Sequence, residues 1–212
     1  MQDFPGFPLH FSVDYPDRNL DRISTFLRPV FAIPIAIVLG SVFGTTIIRG
    51  GEGTNATWAA GGLLVAGPLL MIVFRRKYPR WWYDWNVELL RFANRVVSYL
   101  ALMDDRYPST DERQSVELDI PYPEAERDLS RWMPLVKWLL ALPHVIVLIV
   151  LSVGAAGAVI LAWFAILFTG RYPEPLFRFV EGVLRWHNRV VSYAVILLTD
   201  RYPPFSLAAN SG

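Results

Sequence analysis

Long apolar stretches alternate with polar segments along the chain and predict helices that enter a membrane. Residues 30–48 and 56–74 each contain 19 residues without a charge, and residues 138–170 contain 33. A helix of about 20 apolar residues is long enough to cross a hydrocarbon core of about 30 Å. One helix over the third stretch would be about 50 Å long, so we interpret it as a tight hairpin that breaks near residues 152–157. A shallow re-entrant pair that does not cross the membrane is the alternative.

The pattern therefore predicts an all-α integral membrane protein with four transmembrane segments, arranged as two hairpins over residues 30–74 and 132–170. Of the 20 Lys and Arg residues, only Arg49 lies in a predicted hairpin tip. Positively charged residues stay on the cytoplasmic side of a membrane. We therefore expect a multi-pass protein with both termini inside (N-in, C-in).

Two segments of the chain repeat each other. The nonapeptide RFANRVVSY at residues 91–99 recurs as RWHNRVVSY at residues 185–193, with seven of nine positions identical. Such self-similarity indicates an internal duplication. We predict a first unit over residues 1–110 and a second over residues 111–212, related in parallel by an axis along the membrane normal.

Each predicted unit also contains an amphipathic helix and an extended segment. Charged residues spaced three or four apart over residues 81–103 and 174–198 form one narrow stripe on a wide apolar surface, which is typical of helices at a membrane interface. Residues 11–15 and 116–120 alternate apolar and polar positions, as strands do. Either the two segments pair in a small two-stranded β element on the cytoplasmic face, or each is a coil lying on its own helix.

Composition agrees with a membrane protein and excludes several classes. Hydrophobic residues make up 53% of the 212 residues, charged residues make up 18%, and the mean hydropathy is +0.32. The formal net charge of +1 gives no basic excess for nucleic acid. The chain has no cysteine, which excludes thiolate metal sites and cysteine nucleophiles.

The polar stripes of the two amphipathic helices hold the candidate functional residues. These are Arg91, Arg95, Asp105, Arg185, Arg189 and Asp200. They form either structural ion pairs or a site for anionic lipid phosphates, which suit the planar guanidinium. We favour ion pairs, because partly buried charges need partners. The arginines at 95 and 189 are each expected to contact one of the two aspartates.

His144 is the candidate polar residue inside a predicted span, where a polar group is a functional hypothesis by default. We expect it to hydrogen-bond a neighbouring carbonyl or an interfacial partner. No nucleophile elbow, zinc motif or nucleotide-binding loop occurs in the sequence. The sequence therefore predicts no enzyme, no cofactor and no metal.

Residues 169–205 contain three motifs in a fixed order: Gly-Arg-Tyr-Pro, Arg-Trp-x-x-Arg-Val-x-x-Tyr and Leu-Thr-Asp-x-Tyr-Pro-Pro-Phe. On these motifs the segment resembles a family of prokaryotic membrane proteins catalogued as domain of unknown function 4389. The first unit fits the pattern more loosely, which would make the chain two tandem copies. The resemblance implies a multi-span protein of the bacterial cytoplasmic (inner) membrane and supplies no activity.

These observations together predict a non-catalytic integral membrane protein that is a structural or accessory subunit of a membrane assembly. Its expected partners are membrane lipid and other membrane-protein subunits or a second copy of the chain, without nucleic acid. One alternative is a protein that binds or handles anionic lipids. Another is a membrane-shaping hairpin protein, because short hairpins with interfacial helices displace volume in one leaflet.

Overall fold

The computed structural model describes residues 6–16, 19–43, 67–109 and 114–209, and these form a largely helical fold with one small sheet. In chain order the elements are β1 (His10–Val13), α1 (Arg22–Phe43), a π-helical turn (Met71–Arg75), α2 (Arg80–Leu100), β2 (Val116–Asp119), α3 (Ala125–Asp128), α4 (Met133–Thr169) and α5 (Glu174–Ala194).

The third apolar stretch is one continuous helix, so the predicted hairpin over residues 132–170 is wrong. α4 runs through residues 152–157 without a break. Each of the two glycines there costs about 1 kcal/mol relative to alanine, but extending a formed helix is cooperative, the stretch holds no proline, and Ser152 donates its hydroxyl to the Leu148 carbonyl of the same helix. The helix ends where Gly170 takes a left-handed conformation with φ of +76°.

The prediction of four transmembrane segments is also wrong. Among the described residues, α4 alone is long and apolar enough to cross a membrane. α1 covers only part of the first predicted segment, and the predicted first hairpin tip at residues 49–55 lies outside the described residues. The expected multi-pass arrangement, with two hairpin tips on the outer side of the membrane, is therefore not supported.

The two extended segments pair with each other, which confirms the first of the two alternatives. β1 and β2 are antiparallel, and Phe11 lies opposite Leu118 at the centre of the register. Both side chains are buried against the helices, while Glu117 and Asp119 face solvent. Pairing gives each short strand a partner for one edge, which an isolated strand would leave open.

The elements form three layers. α2 and α5 lie between the sheet on one side and the apolar helices α1 and α4 on the other. Both amphipathic helices match the predicted spans except at the last turn, because Leu102 and Leu197 adopt left-handed conformations that direct the chain away from the helix axis. Because α2 and α5 lie between the two other layers, their polar stripes face the sheet and the segments that follow each helix, and their apolar sides face the outer helices α1 and α4.

Candidate functional site

Two buried cations bind the two candidate aspartates. Arg28 in α1 lies 2.5 Å from Asp105, and Lys137 in α4 lies 2.7 Å from Asp200. Each aspartate also accepts a backbone N–H from the segment just before the helix that carries its cation: Asp21 for Asp105 and Ser130 for Asp200. Each ion pair therefore ties the beginning of an outer helix to the chain that follows an inner one.

The surroundings of the two cations are also alike. The Arg28 guanidinium lies 4.5 Å from the centre of the Tyr99 ring, and the Lys137 ammonium lies 5.1 Å from that of Tyr193. Arg28 donates to the carbonyl oxygens of Tyr99 and Asp104, and Lys137 donates to that of Thr199. These contacts offset the cost of burying the charges.

Sequence reasoning missed both cations, although a signal was present. The segment FLRPVFAIP at residues 26–34 aligns with LVKWLLALP at residues 135–143, and the third residue of each is a cation inside an otherwise apolar run. A charge in such a run usually has a buried partner. The repeated aspartates were the available partners.

Arg95 and Arg189 bind backbone carbonyl oxygens, so their predicted pairing with Asp105 or Asp200 is wrong. Arg95 donates to the carbonyl of Ser109 at 2.7 Å. Arg189 donates to the carbonyls of Ser206 and Ala208 at 2.9 and 2.7 Å. Each arginine thereby holds the extended chain that follows its Asp-Arg-Tyr-Pro tetrapeptide. Burial, with the nearby positive charge of Arg185, lowers the pKa of Arg189.

Arg91 and Arg185 fasten the sheet to the inner helices. The Nε of Arg91 donates to the carbonyl of Leu118 at 2.9 Å, and that of Arg185 donates to the carbonyl of Phe11 at 3.0 Å. These are the two residues that face each other at the centre of the sheet. Arg185 also pairs with the buried Glu181 at 2.6 Å. Both arginines therefore connect the sheet to the inner helices.

Asn94 and Asn188 form a reciprocal amide pair that joins α2 to α5. Each side chain donates to the amide oxygen of the other, at 2.8 and 2.7 Å, and both residues are buried. The signal in the sequence was the asparagine that precedes the arginine in both copies of the nonapeptide. The asparagine to which each one hydrogen-bonds lies 94 residues away in the sequence. A local sequence pattern could therefore not predict the pairing.

His144 lies in an aromatic cluster and hydrogen-bonds an indole, not the expected carbonyl. Its Nδ1 accepts from Nε1 of Trp186 at 3.1 Å, and its ring stacks on Phe205 with centroids 3.9 Å apart. This arrangement fixes the C-terminal tail on α4 and α5. The contact leaves Nε2 as the protonated nitrogen.

Ser152 and His187 approach each other without the geometry of a catalytic pair. Ser152 Oγ lies 3.5 Å from Nε2 of His187 but donates to the Leu148 carbonyl of its own helix at 2.6 Å. His187 Nδ1 lies 3.1 Å from the Val183 carbonyl, so no carboxylate orients the ring. A serine whose proton is held by its own helix is not activated.

A basic cleft lies beside the π-helical turn. It has a volume of about 660 Å³, and its lining includes Arg76, Lys77 and Arg127 together with Trp81. Arg76 has a φ of 51°, a conformation that favours glycine. In the described part of the chain, neither Arg76 nor Lys77 forms an ion pair. No group of three or more metal-ligating side chains occurs there either.

The fold and these contacts define a small helical protein with an exposed apolar layer and a polar layer held by buried ion pairs. The sequence model of a family described as "Domain of unknown function (DUF4389)" matches residues 131–206. The match covers α4, α5 and the tail that Arg189 binds, and it supports the family resemblance of this region. No curated protein and no solved structure matches the chain.

Proposed function

We propose that the protein is a non-catalytic, membrane-bound structural or accessory subunit. The observation that carries the proposal is the exposure of α4: only 17% of its most apolar 18-residue window is buried. The core helix of a soluble protein would bury this surface, and contiguous exposed apolar surface marks a membrane or protein interface. We place it in the cytoplasmic membrane of a bacterium, on the resemblance of residues 169–205.

The polar residues support a structural role. The six candidate charges and their partners bind each other, backbone carbonyls or the sheet, and these contacts leave them little freedom to act on a substrate. A fully engaged polar network instead rigidifies a single arrangement. The sheet and the tails then form a fixed polar surface above the membrane on which another subunit can assemble.

We further propose that the chain consists of two copies of one unit. The support is the recurrence of contacts: Arg28–Asp105 with Lys137–Asp200, Arg91–Leu118 with Arg185–Phe11, and the asparagine pair on the axis between them. An antiparallel strand pair centred on Phe11 and Leu118 fits a twofold relation of this kind.

The test of membrane attachment is flotation with phospholipid vesicles, followed by an alkaline carbonate wash. We expect the protein to float and to resist the wash. Val153→Lys, on the exposed apolar surface, should reduce flotation several-fold, because a lysine in hydrocarbon costs about 3 kcal/mol. Glu117→Lys on the solvent face of the sheet is the matched control and should float normally. A wild-type protein that stays in the soluble fraction would overturn the proposal.

Isolation in mild detergent tests the subunit role separately. A stoichiometric protein that copurifies with the wild type, and is lost when charges on the sheet are reversed by Glu117→Lys and Asp119→Lys, supports it. A protein that stays alone and monomeric after isolation from its native membrane contradicts it.

A second candidate function is the binding of anionic lipid, favoured by the basic cleft. The arginine and lysine at 76 and 77 lie next to Trp81, an exposed indole of the kind found at headgroup depth. The expected effect of Lys77→Gln is weaker binding to vesicles that contain phosphatidylglycerol and unchanged binding to pure phosphatidylcholine. Equal binding of wild type and variant to both vesicles would exclude this function.

A further inference from the structure

We propose that α4 lies in the plane of the membrane, within one leaflet, and that the described part of the chain is monotopic. This inference rests on the proposed membrane attachment and specifies its geometry. The partner surface is a single lipid leaflet, bound by the outward faces of α4 and α1. The alternative, a perpendicular crossing, is what the length and composition of α4 alone would favour.

One buried stripe runs along α4 from end to end. Its members follow one another at spacings of three or four residues, apart from the middle, where half-buried Ser152 and Ala155 continue the line. They are Pro134, Lys137, Ala141, His144, Leu148, Ala158, Ala162 and Ile166. A stripe at this spacing lies on one face of a helix. Elsewhere on the circumference most apolar side chains are exposed, and Leu151, Val159 and Trp163 are half-buried.

The polar part of the molecule backs this stripe over its whole length. Near the beginning of α4, Lys137 binds Asp200. About a third of the way along, Trp186 of α5 binds His144, and in the middle Ser152 lies 3.5 Å from His187 of α5. At the end of α4, the carbonyl of Gly170 accepts from the backbone N–H of Leu20 at 2.9 Å. Both ends of the helix are therefore tied to one layer, which contains ion pairs and backbone hydrogen bonds.

Charged residues lie level with the middle of α4, where Phe179 of α5 approaches Gly154. Glu181 and Arg185 lie on the neighbouring turns of α5 and bind the sheet through Val13 and Phe11. The next strand of that sheet carries Asp119, whose side chain is 70% exposed. A perpendicular α4 would place these charges near the centre of the bilayer, where each exposed carboxylate is strongly disfavoured.

Only one orientation of α4 keeps its exposed apolar face in lipid and the charged sheet in water. With α4 parallel to the membrane, the exposed apolar side chains enter one leaflet and the sheet stays in water. Trp132 and Trp138, both exposed at the beginning of α4, then lie at headgroup depth, where indole rings concentrate. A helix in this position needs a polar side along its length, and here α5 with its buried ion pairs supplies it.

The experiment exploits the absence of cysteine from the chain. The double variant Trp132→Cys/Arg171→Cys places one thiol beyond each end of α4. The protein is reconstituted in sealed vesicles of phosphatidylcholine and phosphatidylglycerol, treated with a membrane-impermeant maleimide, and analysed by intact mass. We expect molecules with two labels or none, because both thiols lie on the same side of the bilayer. A population with one label per molecule would show a crossing and overturn the inference.

Depth measurement gives an independent reading. Val153→Cys, in the middle of the exposed face, carries an environment-sensitive fluorophore and is quenched by nitroxides at shallow or deep positions along the lipid chain. We expect the shallow quencher to be the stronger; a stronger deep quencher contradicts the inference. Glu117→Cys on the sheet is the control and should be quenched by neither. Failure of the protein to associate with vesicles would instead contradict the proposed membrane attachment itself.

Discussion

α2 and α5 carry nearly the same nonapeptide, and each binds the sheet through the first arginine of that nonapeptide. The two helices differ in how the charge of this arginine is compensated. Arg185 pairs with Glu181, whose side chain is only 5% exposed, while Arg91 pairs with Glu88, which is 57% exposed. The two glutamates are not at equivalent positions: Glu181 precedes its arginine by four residues and aligns with the buried Val87, while Glu88 precedes its arginine by three. The residues that precede the repeated nonapeptide therefore give a buried ion pair in one half and a solvated one in the other.

The largest effect is expected at this pair. Glu181→Gln leaves Arg185 buried without a countercharge, and we expect the free energy of unfolding to fall by about 3–5 kcal/mol. Glu88→Gln is the matched control and should change it by less than about 1 kcal/mol, because its pair is screened by water. Urea unfolding in detergent micelles, followed by circular dichroism, measures both. Equal losses in the two variants would show that the two helices are equally solvated.

The second comparison is between the two buried cations. Asp200→Asn leaves Lys137 with the carbonyl of Thr199 as its hydrogen-bond acceptor, and we expect a loss of about 2–3 kcal/mol in the same unfolding assay. Asp105→Asn should cost less, because Arg28 keeps the carbonyl oxygens of Tyr99 and Asp104. The opposite order would mean that the arginine depends on its aspartate more than the lysine does.

Local spacing predicted the parts of the fold that depend on local sequence. The stripe over residues 81–103 predicted α2, and the alternation over residues 11–15 and 116–120 predicted strands that the structure confirms as a pair. In each case the periodicity of the residues that become buried matches the geometry of the element. The same stripes identified Arg91 and Arg185 as candidate structural charges.

The parts that failed depend on choices between distant or competing partners. The glycines at 154 and 157 suggested a break, but whether a helix continues there depends on what packs beside it, and here Phe179 of α5 lies close to Gly154. The two candidate aspartates were assigned the wrong partners. Arg28 lies 77 residues from Asp105, and no spacing rule connects them.

The amide pair that joins α2 to α5 gives the third prediction. Asn94→Ala and Asn188→Ala should each cost about 1–2 kcal/mol of unfolding free energy, because each leaves a buried amide without its partner. The double variant should cost about 1 kcal/mol less than the sum, since both single changes break the same two hydrogen bonds. Glu117→Ala, at an exposed side chain of β2, is the control. Strictly additive losses would contradict a direct coupling between α2 and α5.

The smallest effect is expected at a pair of corresponding positions of which only one is ionisable. Asp104, which precedes Asp105, accepts from the backbone N–H of Arg106, and Thr199, which precedes Asp200, accepts in the same way from Arg201. Burial alone would raise the pKa of Asp104, but hydrogen bonds from Ser115 and Arg106 outweigh it and hold the pKa below the usual value. A carboxyl with a lowered folded pKa stabilises the fold above its unfolded value of about 3.9, and this contribution disappears as the pH falls through the folded value.

Asp104→Asn should therefore reduce stability near neutral pH and flatten its decline in acid, while Thr199→Ala should lower stability by a similar amount at every pH. Thermal melts between neutral pH and pH 3 in detergent measure the two slopes, and an unchanged acid slope in Asp104→Asn would show that this carboxylate does not distinguish the first half from the second.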